Sequence, residues 1–144
     1  MLEIIRAFPE DVAYITDVSE CIFSIDPDTA PEGYDSYDWY LRTSTTGYLF
    51  KIMFNNSMVG GFTIFKTGRF NFQLERIFIL PDFQNIGIGK KAVQYVIRRF
   101  PEAKIWYSDV RPEWQKYSRF LNNCGFFESG FSTGGGRRFI KILH

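Results

Sequence analysis

Histidine is nearly missing from this 144-residue chain: its one example is His144, the last residue. A Ser-His-Asp triad, a Cys-His pair and a multi-histidine metal site all need an imidazole inside the fold, so these chemistries are poor candidates and no metal site is expected. Acid–base work falls to carboxylates, Tyr, Lys, Cys or the substrate itself. Cysteine is scarce as well. Cys21 and Cys124 do not make a disulfide framework, and a cytoplasmic setting is the default. Both read as packing residues. No apolar run approaches the ~18 residues of a membrane span. Met1 to Arg6 lacks the basic and apolar regions of a signal peptide. There is no internal repeat, no low-complexity linker and no recognised nucleic-acid motif.

Aromatics are abundant. Sixteen Phe, eight Tyr and three Trp favour strands and a heavily packed core. Hydrophobic residues make up 45% and charged residues 23%, which argues against disorder. The length fits one domain over 1–144. The net charge of +1 hides a split: residues 1–50 hold 10 acids and 2 bases, a net of −8, and residues 51–144 hold 6 acids and 15 bases, a net of +9.

Leu2 to Ala7 reads as a strand. Pro9-Glu10-Asp11 opens a helix whose Val12, Ile15, Val18 and Ile22 form one buried stripe. Asp26-Pro27-Asp28 and Ala30-Pro31-Glu32-Gly33 break it. Tyr34 to Arg42 reads as a short second helix. Three strands follow in a meander: Tyr48 to Phe54, Val59 to Lys66 and Phe70 to Leu80, with turns at Asn55-Asn56-Ser57 and Thr67-Gly68. The third strand has a phase fault. Phe70, Phe72 and Leu74 are apolar on even positions, whereas Ile77 and Ile79 are apolar on odd ones. Either a β-bulge near Glu75 to Ile77 restores the pattern, or the strand end is buried on both faces. A helix after Gly89, a strand from Lys104 to Val110, a helix from Pro112 to Cys124 and strands from Phe126 to Ser132 and Arg137 to Leu143 complete the order β-α-(α)-β-β-β-α-β-α-β-β. The fold class is α/β, with a mixed, mostly antiparallel sheet flanked by helices.

The run from Leu74 to Lys90 carries the chemistry. A strand leads through a turn into a helix with a glycine-rich first turn, and free N–H groups at a helix start bind phosphate. Lys90 and Lys91 add positive charge. Gly87-Ile88-Gly89-Lys90-Lys91-Ala92 also satisfies the dinucleotide pattern G-x-G-x-x-A, with Asp109 placed 20 residues past Gly89 as a ribose-binding acid would be. Against that reading stand the six residues between Leu80 and Gly87, the preceding meander, and only 55 residues after Gly89. A dinucleotide-binding oxidoreductase is the less favoured alternative.

Gln84-Asn85-Ile86-Gly87-Ile88-Gly89 resembles the acetyl-CoA motif Q/R-x-x-G-x-G/A of the GNAT N-acetyltransferase superfamily. Leu74 to Pro81 resembles that family's fourth strand, and Phe120 to Phe126 its F-Y-x-x-x-G-F element. The resemblance implies acetyl-CoA as co-substrate and direct acetyl transfer to an amine. It places the pantetheine arm along the backbone of Phe78 and Ile79, and the pyrophosphate on N–H groups of Gln84, Asn85, Ile86, Gly87, Ile88, Gly89 and Lys90. Glu75 is the candidate base, with an ordinary ion pair as its other reading; Arg76 reads as structural or solvent-facing. The family's frequent tyrosine is Leu121 here. Tyr117, one turn earlier, is the substitute proton donor or else a core aromatic; the thiolate can also leave unassisted. The departure keeps open a non-catalytic acyl-CoA-binding domain. Asp26, Asp28, Glu32, Asp35 and Asp38, among Tyr34, Tyr37, Trp39 and Tyr40, suggest a cationic amine acceptor. By the same family analogy, the Gly134–Gly136 hairpin could supply a homodimer interface. Ser108-Asp109 borders the site or caps a helix.

Overall fold

The computed structural model describes residues 1–25 and 30–143. Asp26, Pro27 and Asp28, read above as a helix break and as part of the acidic stretch, and His144 lie outside the described residues. The elements are β1 (Leu2–Arg6), α1 (Val12–Phe23), α2 (Tyr37–Thr46), β2 (Tyr48–Phe54), β3 (Ser57–Lys66), β4 (Asn71–Ile79), α3 (Ile88–Arg99), β5 (Ile105–Val110), α4 (Gln115–Asn123), β6 (Phe127–Phe131) and β7 (Arg137–Ile142). Their order is the expected one. The strands form one sheet in the order β1-β2-β3-β4-β5-β7-β6. Every neighbouring pair is antiparallel except β4–β5.

Two helices start later than the sequence suggested. The α2 helix begins at Tyr37 because Ser36 caps it, accepting from the Trp39 N–H at 3.1 Å. It runs on through Thr43-Ser44-Thr45-Thr46, whose hydroxyls turn back onto helix carbonyls, as in Thr43 to Trp39 O at 2.9 Å and Thr46 to Arg42 O at 2.8 Å. The α4 helix begins at Gln115, because a turn closed by Trp114 N–H on Arg111 O comes first.

Each face of the sheet carries its own core. Phe50, Ile52, Phe62, Ile64, Phe72, Leu74, Trp106 and Leu121 pack with α3 residues Ala92, Val93 and Val96. On the other face Leu49, Phe78 and Ala7 pack with Val12, Ile15, Val18 and Tyr40 of α1 and α2. The β-bulge is present. Thr63 pairs with Arg76 and Ile64 pairs with Leu74, so Glu75 has no partner on β3. One extra residue shifts the side-chain phase. Phe72 and Leu74 before it, and Ile77 and Ile79 after it, therefore share the α3 face. Arg76 is buried, 3% exposed, which removes its solvent-facing reading.

The α3-side core centres on Trp106, 1% exposed. Its ring lies 5.2 Å from that of Phe72 and 6.1 Å from that of Phe100, centroid to centroid. Trp106→Ala should lower the unfolding free energy by about 3–5 kcal/mol, read from urea denaturation. A loss under about 1 kcal/mol would contradict this packing.

Candidate active site

The parallel pairing of β4 and β5 is short. Asn71, Phe72 and Gln73 pair with Ile105, Trp106 and Tyr107. Beyond that point β4 runs to Ile79 and β5 to Val110 with no ladder between them, while β5 stays paired with β7 as far as Val110–Arg137. The strands part, and the side chain of Ser108 marks the apex, donating to Leu74 O at 2.6 Å.

The direction of β4's free groups follows from its other edge. Leu80 N–H donates to Val59 O at 2.8 Å, and the register continues Gly60–Ile79, Gly61–Phe78, Phe62–Ile77 and Thr63–Arg76. Inward and outward residues alternate in an antiparallel ladder. Leu80, Phe78 and Arg76 thus turn their N–H and C=O toward β3, and Ile79 and Ile77 turn theirs into the gap. This corrects the expectation for Phe78. Its backbone faces Gly61 and its side chain, 2% exposed, fills the α1-side core. Ile77 joins Ile79 along the gap instead.

At the end of β4 the chain turns through Pro81–Phe83 into α3. Asn85 (φ 63°) and Gly87 (φ 88°) adopt left-handed conformations, which Asn tolerates and Gly takes without strain. Gly87 caps α3, and the first intrahelical bond runs from Lys91 N–H to Gly87 O at 3.1 Å. The N–H groups of Ile88, Gly89 and Lys90 precede that bond and have no intrahelical acceptor. Gly89 has a packing role: a Cβ there would lie 2.7 Å from the Phe120 ring. No acid stands in the first turn of α3, and Lys90 and Lys91 are exposed. The Gln84 N–H is spent on Pro81 O at 3.2 Å, which corrects its expected place among the free donors, so the N–H cradle at the mouth of the gap runs from Asn85 to Lys90. Gln84 Nε2 donates to Ile79 O at 2.8 Å and ties that cradle to β4.

Glu75 occupies the bulge, partly exposed, in an ion pair with Arg76. Its Oε1 accepts from Arg76 Nε and from Thr63 Oγ1 at 3.1 Å, and its Oε2 accepts from Arg76 Nη2 at 3.1 Å. A carboxylate has about four acceptor sites, so roughly one remains open. Arg76 also donates to Glu32 O at 2.6 Å and Tyr40 Oη at 3.2 Å. Its guanidinium lies over the Trp39 ring, 3.8 Å from the centroid. Burial opposes its charge, and the bonds it donates to the Glu75 carboxylate, with that carboxylate's charge, more than offset this, so it stays ionised. Burial also raises the Tyr40 hydroxyl above its ordinary range, against the pull of Arg76. Tyr40 Oη meets Ser19 Oγ of α1 at 2.5 Å.

Tyr117 reaches the apex of the gap. Its hydroxyl lies 2.7 Å from Ser108 Oγ. Because the Ser108 proton goes to Leu74 O, Tyr117 is the donor in that pair. Its ring stacks on Phe120 at 6.1 Å and meets Trp114 edge-on at 6.3 Å. Burial pushes its hydroxyl well above the ordinary phenol range, so it stays protonated at neutral pH. Leu121 is fully buried behind it.

The structure brings Glu75, Tyr117, Ile79 and Gln84 to Lys90 around one gap. Ser108 and Arg76 also belong there. The sequence offered Ser108, together with Asp109, as bordering the site or capping a helix, and Arg76 as structural or solvent-facing. Asp109 does not join them: it holds Arg138 through two bonds at 2.8 and 3.0 Å on the neighbouring strand. Of the aromatics in the acidic stretch, Trp39 and Tyr40 already face Arg76, and Tyr34 packs edge-on to Phe23. Glu32, Asp35 and Asp38 are exposed. Cys124 is buried as expected; Cys21 is exposed, because it lies outside the Val12-Ile15-Val18 stripe. Among the described residues no cluster of His, Cys, Asp and Glu could hold a metal, and no helix is long and apolar enough to cross a membrane.

Solved structures share this architecture. The PaiA N-acetyltransferase of Thermoplasma acidophilum, in complex with coenzyme A, superposes with a TM-score of 0.82 at 14% identity, over 99% of each chain. An acetyltransferase of Thermus thermophilus gives 0.84 at 17% identity, over 99% of this chain and 97% of that one. A GNAT family acetyltransferase of Elizabethkingia anophelis with acetyl-CoA bound gives 0.69 at 16% identity, over 99% and 98%. No curated protein matches the sequence. The acetyltransferase (GNAT) family matches residues 12–126, which takes in α1, the gap, the N–H cradle and α4, and the chain belongs to that family.

Proposed function

We propose that this acetyltransferase moves an acetyl group from acetyl-CoA to an amine by direct attack. The supporting observation is the junction of two features. The outward backbone groups of Ile77 and Ile79 line the gap, and the N–H cradle from Asn85 to Lys90 closes its mouth. The amides of a pantetheine arm find partners in the first, and a pyrophosphate in the second. The coenzyme complexes of the two relatives above support the same donor. Acetyl-CoA supplies an activated thioester. Around it, the Ile77 N–H is placed to polarise the acyl oxygen. Glu75 takes the proton that the amine must shed, and Tyr117 turns its proton from Ser108 Oγ to the departing thiolate as the C–N bond forms and the C–S bond breaks.

The acceptor in this reading is a cationic amine, drawn by the exposed carboxylates of Glu32, Asp35 and Asp38. The faces of Trp39 and Tyr40 do not hold it, because Arg76 lies over them. Two free cysteines fit a reducing cytoplasmic setting. A second reading, acyl-CoA binding without transfer, is favoured by one observation: Arg76 and Thr63 already bind the Glu75 carboxylate.

Thiol release from acetyl-CoA over a panel of polyamines, aminoglycosides and peptide N-termini separates the two. Transfer predicts turnover, and Glu75→Gln should then lose about 100-fold or more in kcat with coenzyme affinity unchanged by calorimetry. Tight binding with no turnover on the whole panel supports the second reading. Tyr117→Phe should slow turnover about 10- to 100-fold. Because burial holds Tyr117 protonated, the wild-type rate should show no loss from its ionisation up to about pH 10. A Tyr117→Phe enzyme at the wild-type rate would remove Tyr117 as the donor.

A further inference from the structure

Lys116 stands in the first turn of α4, across the mouth of the gap from the N–H cradle. Its ammonium lies 2.6 Å from Gln84 Oε1, and the Nε2 of the same amide donates to Ile79 O at 2.8 Å. The three groups form a chain from α4 to the end of β4. An ammonium in a first helical turn sits at the positive end of the dipole, which disfavours it. No acid in that turn compensates. Among the described residues Lys116 has no carboxylate partner; Asp82 and Glu113, its acidic neighbours on the flanking turns, make no ion pair either. The start of α3 repeats the pattern, with Lys90 and Lys91 exposed and no acid in its first turn. Two helix N-termini thus flank one mouth, where Lys116 has no carboxylate bound to it; Lys90 lies at the far end of α4 instead, beside Cys124 and Lys141. A neutral amide oxygen is a weak partner for an ammonium; a phosphate oxygen is a strong one.

We propose that Lys116 is a coenzyme-binding residue, exchanging Gln84 Oε1 for an oxygen of the pyrophosphate held at the start of α3. This rests on the acetyl-CoA reading above. The pyrophosphate is favoured over the ribose 3′-phosphate because Gln84, the residue that Lys116 now holds, directly precedes Asn85, where the cradle of free N–H groups begins. Gln84 keeps its bond to Ile79 O through the exchange, so the cradle stays tied to β4.

Calorimetry on Lys116→Met, with unchanged thermal stability as the folding control, tests it. CoA and dephospho-CoA should both bind about tenfold more weakly than to the wild type, with a flatter salt dependence, and Lys116→Arg should restore most of the affinity. Unchanged CoA affinity would overturn the proposal. So would a loss confined to CoA, which would move the contact to the 3′-phosphate. If the wild type binds no CoA at all, the acetyl-CoA reading falls and this proposal with it, a result distinct from wild-type binding that Lys116→Met leaves intact.

Discussion

The parting of β4 from β5 is the constraint on which the rest of the site depends. Three residue pairs join the strands, and then a bulge bends one of them away. Backbone amides left unpaired inside a fold are costly unless something bonds them. Along the gap, part of that need is met by side chains: Ser108 takes Leu74 O, and Gln84 takes Ile79 O. What remains is a slot with amide partners on its β4 wall, an anion cradle at its mouth and a protonated phenol at its apex. Each part is placed by ordinary secondary-structure geometry. The bulge turns Ile77 and Ile79 onto the α3 face, and the left-handed Gly87 starts α3 where its free N–H groups crown the slot.

The second organising interaction is the buried Arg76. A guanidinium out of water needs charge and hydrogen-bond partners, and its partners come from three places. They are Glu75 of the bulge, the Glu32 carbonyl of the loop before α2, and Tyr40 with Trp39 of α2. Through Tyr40 and Ser19 the network extends to α1. The α1 and α2 helices are thereby fastened to Arg76, which neighbours the bulge of β4. Arg76 also covers the Trp39 and Tyr40 rings. The acidic first third keeps Glu32, Asp35 and Asp38 exposed, and the basic remainder keeps Lys90 and Lys91 exposed at the start of α3.

Most of the fold was legible because its signals are local. Alternation gave the strands, Gly and Pro gave the turns, and the phase fault at Glu75 gave the bulge. The glycine motif located the cradle, since its function depends on the backbone of consecutive residues. Contacts between distant segments left weaker traces. Arg76 looks like any polar residue in a strand until Trp39, Tyr40 and Glu32 are brought against it. Ser108 is one serine among many until it meets Leu74 O and Tyr117. The backbone directions of Ile77 and Phe78 depend on the register with β3, which a single strand does not encode. The α2 boundary was missed because its Thr-Ser-Thr-Thr end has poor helix propensity. Back-bonding hydroxyls and the packing of Tyr40 hold it as helix.

The central claim is that acetyl-CoA lies in the gap and bonds the outward amides of β4. Residue-resolved amide hydrogen exchange, with and without acetyl-CoA, addresses it directly. The account predicts that Ile77 and Ile79 gain protection on adding the coenzyme, while Phe78, already facing Gly61, changes little. Saturating acetyl-CoA that leaves Ile77 and Ile79 exchanging as before would contradict it.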